Sequence, residues 1–182
     1  AVWPASRPAR STASIEGRHG TDHQRYALRL HSRPDHSQAA RARGIFIPTL
    51  CHLPRCTPTG ACRICVVEVE GAKTLMPSCM TEVREGMVIR TNSDRVRRAR
   101  KVLYELLLSD HSKDCLSCKR NQSCELQALG KQLGVEATRF EGARSECVID
   151  VSTSITRDMS KCILCRRCVT ACNEIQGVGI IN

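Results

Sequence analysis

Eleven of the thirteen cysteines, together with His111, fall into three groups at short, repeated steps along the chain. Cys51, Cys62, Cys65 and Cys79 have ten, two and thirteen residues between them, so a tight Cys-x2-Cys pair lies between two more distant thiols. His111, Cys115, Cys118 and Cys124 follow with gaps of three, two and five, and Cys162, Cys165, Cys168 and Cys172 with gaps of two, two and three. A Cys-x2-Cys step lets two soft thiolates reach one inorganic core while the intervening backbone amides point at its bridging sulfides. The spacing therefore predicts iron-sulfur ligand sets arranged as an electron wire.

Composition sets the frame for that prediction. The cysteine groups divide 182 residues into several small modules, and with only 3% aromatic residues none can build a large core. Small modules with thin cores are usually stapled by metals or disulfides. The chain shows no charged-then-apolar leader and its cysteine count is odd, which points to a reducing, cytoplasmic setting. No apolar run approaches the roughly 18 residues of a membrane span. The formal charge of +10 counts ligating thiolates as neutral and so overstates the real one. Half of that excess lies in residues 1–43, where eight Arg face three acids. The N-terminal stretch shows no sustained period, and little packed structure is expected over residues 1–38.

From Gly44 the chain becomes apolar and enters a ligand loop punctuated by Pro54, Pro58 and Gly60. Val66–Glu70 reads as a strand and Thr74–Met76 as its hairpin partner, with a further strand over Met87–Thr91. Asn92, Ser93 or Asp94 can cap a helix over residues 95–109. Its apolar positions Val96, Ala99, Val102, Leu103, Leu106 and Leu107 are expected to be buried, and Arg95, Arg97, Arg98, Arg100 and Lys101 to face solvent. A second helix runs from about Cys124 to Leu133 and stops at Gly134. Within the less regular residues 135–161, Cys147–Val151 is the clearest strand candidate, and a brief helix follows over Val169–Ile175.

Gly60 and Ala61 leave room beside Cys62 for backbone to approach sulfide. Cys56 competes with Cys51 as first ligand, but the gap of five to Cys62 favours Cys51, and Cys56 and Cys147 are expected outside every cluster. His111 completes the four ligands that a cubane needs, and a neutral imidazole in place of a thiolate is expected to raise the reduction potential. Zinc ribbons and disulfides are the alternatives. The third run argues against both, because its close steps would crowd tetrahedral zinc, whereas a cubane takes three ligands from such a run and the fourth from elsewhere. By that rule Cys172 serves a neighbouring cluster whose other ligands lie beyond Asn182. The alternative of another class is a zinc-stapled nucleic-acid-binding module using the basic helix, although no interleaved aromatics stand ready to stack on bases.

Read together, Ile47-Pro48-Thr49-Leu50-Cys51, Gly60-Ala61-Cys62-Arg63-Ile64-Cys65-Val66-Val67-Glu68-Val69, Asp114-Cys115-Leu116-Ser117-Cys118, Cys124-Glu125-Leu126-Gln127 and Lys161-Cys162-Ile163-Leu164-Cys165-Arg166-Arg167-Cys168-Val169 resemble one family. It is the N-terminal electron-transfer region of iron-only hydrogenase large subunits, shared with the large iron-sulfur subunit of complex I and the alpha subunit of NAD-dependent formate dehydrogenases. The resemblance implies an α+β chain in three parts. Residues 39–94 would be a plant-type ferredoxin (β-grasp) domain lacking its N-terminal hairpin, with a 2Fe-2S cluster on Cys51, Cys62, Cys65 and Cys79. Residues 95–135 would hold a 4Fe-4S cluster on His111, Cys115, Cys118 and Cys124. After a linker over 136–160, residues 161–182 would open a two-cluster ferredoxin domain, with Cys162, Cys165 and Cys168 on an incomplete 4Fe-4S site and Cys172 on its neighbour. Cys172 favours the hydrogenases and formate dehydrogenases over the complex I subunit, and Ser154–Asp158 with Glu174–Val178 most resemble hydrogenases of the NAD(P)-linked, multi-subunit kind, the formate dehydrogenase and complex I subunits being the alternatives. The implied partners are a flavin- or NAD(P)-linked subunit or a ferredoxin, with no nucleic acid and no catalytic centre in this chain.

Overall fold

A computed structural model describes residues 26–27, 35–54, 56–142 and 149–181. Most of the 1–38 stretch, and Cys147, lie outside the described residues. The elements in order are β1 (Tyr26–Ala27), α1 (His36–Arg41), β2 (Val66–Val69), β3 (Met76–Pro77), β4 (Val88–Arg90), α2 (Asp94–Ser109), α3 (Glu125–Leu133), β5 (Ile149–Val151), β6 (Thr156–Asp158) and α4 (Arg167–Thr170). A π turn over Ala171–Ile175 continues α4, so the expected terminal helix is present but changes pitch midway.

β2 and the ligand loop that leads into it organise the first half, because their residues divide between two apolar cores. Cys65, Val67 and Val69 enter one core with Ala39, Ala40, Ile47, Cys79 and Ile89. Ile64 and Cys62 enter a second core with Leu50, Cys51, Tyr104, Leu126 and Leu129. The strand pairs antiparallel with β3 (Val67 opposite Met76) and with β4 (Val69 opposite Ile89), and β1 extends the sheet to the order β1-β4-β2-β3. One short strand of this sheet lies ahead of residue 39, Tyr26–Ala27, with Ala27 opposite Val88. α1 is likewise a helix that starts ahead of Ala39, capped by Asp35, whose side chain accepts from the Gln38 amide at 2.8 Å.

Of the three candidate caps for α2, Ser93 is the one used: its Oγ accepts from the Val96 amide at 3.3 Å. The buried side of α2 departs from expectation. Val102 and Leu106 are exposed, whereas Val96, Arg100, Tyr104 and Glu105 are buried. Two polar residues take the inner face because each finds partners there. Arg100 donates to backbone carbonyls of Ile64 and Val66, and Glu105 accepts from Arg139 at 2.7–3.1 Å, which ties residues 138–140 to the helix. α3 lays Leu126 and Leu129 into the second core and ends at Gly134, whose φ of +63° is the left-handed stop that glycine provides. Gly130 sits where any side chain would collide with the Tyr104 hydroxyl, so α2 and α3 meet closely.

β5 and β6 form a separate exposed hairpin, with Ile149 opposite Asp158. Only Ile149–Val151 of the expected Cys147–Val151 strand falls in the described residues. Among the described residues no helix is long and apolar enough to cross a membrane.

Candidate metal centres

The first group is assembled by the two cores. Cys51, Cys62, Cys65 and Cys79 are each at most 4% exposed. Their thiols touch in series, Cys62 to Cys51, Cys51 to Cys79, and Cys79 to Cys65, the last pair at 3.3 Å. Cys51 is pulled well below the ordinary thiol range by hydrogen bonds from Cys62 and Cys79, and Cys65 down to about 6 by Cys79. Cys62 and Cys79 are pushed up by those same contacts and by burial. Four thiols crowded into a dry core are a poor packing choice and a good ligand set, because a bound metal core consumes all four sulfurs as thiolates. Backbone cooperates: the Leu50 amide donates to Cys62 Sγ at 3.4 Å, and Arg63 takes a φ of +57° so that the Cys62–Cys65 loop can turn tightly. Gly60, at φ +62°, packs against Met80, and a side chain there would collide with the Met80 sulfur. Cys56 is also buried, with no thiol partner among the described residues.

The second group lines one cavity of about 750 Å³, whose walls include His111, Cys115, Cys118 and Cys124 together with Tyr104 and Lys161. His111 follows the C-terminus of α2 and Cys124 is the residue before α3, so the helix pair sets the cavity's width. Burial, then the Lys161 charge, lowers the His111 pKa, which keeps the imidazole in its neutral, metal-binding form. Its Nδ1 is buried with no hydrogen-bond partner, an atom that a metal bond would satisfy. The donor set and this orphaned nitrogen fit a cluster.

The third group is more open. Cys162 and Cys165 are half-buried and Cys168 is exposed. Leu164 and Arg166 both take positive φ, turning the run back on itself, and the Leu164 amide donates to Cys162 Sγ at 3.3 Å. Cys172 is buried, its thiol lowered by backbone amides of residues 179–181. The twelve described cysteines are free thiols. Among the described residues no three His, Cys, Asp or Glu side chains converge as they would around a single ion.

Three links hold the groups in one body. Arg167 Nη1 donates to both carboxylate oxygens of Glu125 at 2.8 Å, the Thr57 amide donates to Glu174 at 2.8 Å, and the Ser112 amide donates to the Ser160 carbonyl at 3.1 Å. The second core contains Cys51 and Cys62 and has Cys124 and Cys165 packed against it, so it touches all three groups. The basic face of α2 is partly occupied: Arg95 donates to the Lys73 carbonyl, Arg97 to Asn92 and Asp94, and Arg100 is buried. Sequence periodicity missed Arg100 and Tyr104. The signal available was their position one turn apart on the same line as Val96.

Residues 37–94 match the family described as a 2Fe-2S iron-sulfur cluster binding domain, and residues 100–139 match the NADH-ubiquinone oxidoreductase-G iron-sulfur binding region. The chain is 48% identical over 150 residues to the NADP-reducing hydrogenase subunit HndD of Solidesulfovibrio fructosivorans, covering 79% of this chain and 26% of that protein. It is 34% identical over 143 residues to the mitochondrial NADH-ubiquinone oxidoreductase 78 kDa subunit of Candida albicans, covering 77% of this chain and 20% of that protein. Among solved structures, an NAD+-reducing [NiFe]-hydrogenase superposes with a TM-score of 0.77 at 30% identity, covering 85% of this chain and 65% of that one. The chain thus spans only a part of each of these relatives. Mixed helix and strand, with a 2Fe-2S and a 4Fe-4S binding domain, the chain carries the iron-sulfur electron-transfer module that NAD(P)-linked hydrogenase subunits share with the complex I type of NADH oxidoreductase.

Proposed function

We propose that this module relays single electrons between a flavin- or NAD(P)-linked subunit, or a ferredoxin, and a catalytic domain outside residues 1–182 of a hydrogenase-type oxidoreductase. In this reading residues 39–94 are an incomplete plant-type ferredoxin domain whose Cys51, Cys62, Cys65 and Cys79 hold a 2Fe-2S centre. Residues 95–135 hold a 4Fe-4S centre on His111, Cys115, Cys118 and Cys124, and 136–160 link them to residues 161–182. There Cys162, Cys165 and Cys168 hold part of a further 4Fe-4S centre and Cys172 serves its neighbour. A cytoplasmic setting, where thiols are kept reduced, suits this ligand chemistry.

One observation carries this reading: a single apolar core reaches residues of all three ligand groups. A relay needs its carriers fixed close together in a dry, rigid medium, and a shared core provides that. When bound, the clusters supply one-electron chemistry, at about −400 mV for a plant-type 2Fe-2S centre. The chain's own residues hold the sulfurs, aim amides at them and exclude water. The 48% identity to a hydrogenase subunit, against 34–38% to complex I type subunits, supports the hydrogenase-type parent.

Anaerobic reconstitution tests the proposal. The expected product is brown, contains iron and acid-labile sulfide, and gives EPR signals on reduction with dithionite. Colourless protein with stoichiometric zinc would replace it with the zinc-stapled nucleic-acid-binding reading. A His111→Cys chain is expected to keep its second centre at a lower potential, since a thiolate adds negative charge where imidazole adds none. An unchanged midpoint in an EPR-monitored titration would remove His111 from the ligand set.

A further inference from the structure

Arg100 lies on a helix face that charge patterning assigns to solvent, yet it is 6% exposed. Its Nε donates to the Ile64 carbonyl at 3.1 Å and its Nη2 to the Val66 carbonyl at 2.8 Å. Those carbonyls belong to the residues on either side of Cys65, so one rigid guanidinium grips the backbone before and after a single thiol of the first group. No carboxylate among the described residues pairs with it. Burial lowers its pKa to about 10, and the nearby Cys65 thiolate acts in the opposite direction, so it stays charged at neutral pH. A buried cation without a counter-charge is costly, and two neutral carbonyls satisfy its donors without neutralising it. The missing negative charge lies with the thiolates of the first group.

We propose that Arg100 is a positioning residue for the first centre, fixing the backbone on both sides of Cys65 and supplying a buried positive charge that favours the centre's reduced state. The inference rests on the 2Fe-2S reading given above. One electron, taken from dithionite in a titration, adds one negative charge to a centre of thiolates and sulfides. A fixed cation in a medium of low dielectric stabilises that added charge, whereas solvent screening would erase the effect of the same residue on the surface. Arginine suits the position because its planar fork reaches two carbonyls at once, which a lysine cannot reproduce.

The test is an EPR-monitored redox titration of the reconstituted full chain carrying Arg100, Arg100→Gln or Arg100→Lys. Iron and sulfide content and the reduced-state signal of the unsubstituted chain test the 2Fe-2S reading by themselves; if these fail, the ligand assignment falls first. With them in place, Arg100→Gln is expected to weaken reduction roughly tenfold, a midpoint lower by about 59 mV for one electron. Arg100→Lys, which keeps the charge, is expected to stay within about threefold of the parent, a limit set well inside that tenfold step. An Arg100→Gln midpoint equal to the parent's overturns the proposal, and so do equal shifts in both variants, which a purely structural clamp would give. If Arg100→Gln assembles no centre, Arg100→Lys decides: a midpoint near the parent's supports the proposal, and a tenfold loss overturns it.

Discussion

A Cys65→Ser chain, reconstituted without oxygen, is expected to lose the EPR signal and the iron of the first centre while keeping the signal of the second. Serine preserves the size of the side chain but offers a hard oxygen where iron-sulfur cores take soft sulfur. Cys65 is also fully buried in the first core, in contact with Cys79. That core is thin, its large members being Ile47, Val67, Val69 and Ile89, so a centre bound there is expected to carry much of its cohesion. Loss of stability by more than about 4 kcal/mol, the range typical of a lost metal, is therefore expected in chemical unfolding of the substituted chain. Retention of both the signal and the unfolding midpoint would show that Cys65 is not a ligand.

Ile64→Ala is the largest expected packing effect. Ile64 is fully buried between Cys62 and Cys65, against Leu126, Leu129 and Tyr104. Shortening the side chain there leaves a cavity that the neighbouring loop, pinned by Arg100 at the Ile64 carbonyl, cannot easily close. Such truncations cost about 2–5 kcal/mol. Because the cavity opens in the core shared by the ligand groups, both reduced-state signals are expected to broaden, while a Val102→Ala change on the exposed side of α2 leaves them sharp. A loss below about 1 kcal/mol with unaltered spectra would mean that this core is not the frame of the relay.

Much of this arrangement was legible from residue order because local chemistry and tertiary packing agree. β2 follows from the β-branched run of Val66–Val69, α3 from the leucines and the Gly134 stop, and the placement of His111, Cys115, Cys118 and Cys124 around one cavity from their spacing. The inner face of α2 was misread because an apolar count assumes that charge goes to water. Arg100 and Glu105 are buried since the carbonyls beside Cys65 and the guanidinium of Arg139 await them, and neither partner is visible in a window of helix sequence. β6 was missed for a related reason: Thr156–Asp158 has no apolar face, and only pairing with β5 makes it a strand. The contact of Tyr104 with Gly130 joins residues on different helices, so no local pattern could announce it.

The gradient of exposure along the three thiol groups has a chemical consequence. Dissolved oxygen arriving from the bulk meets Cys168 at the surface, then the half-buried sulfurs around His111, and last the sealed quartet behind β2. Bleaching in air would then proceed inward from the C-terminal end, leaving the first centre as the final source of colour.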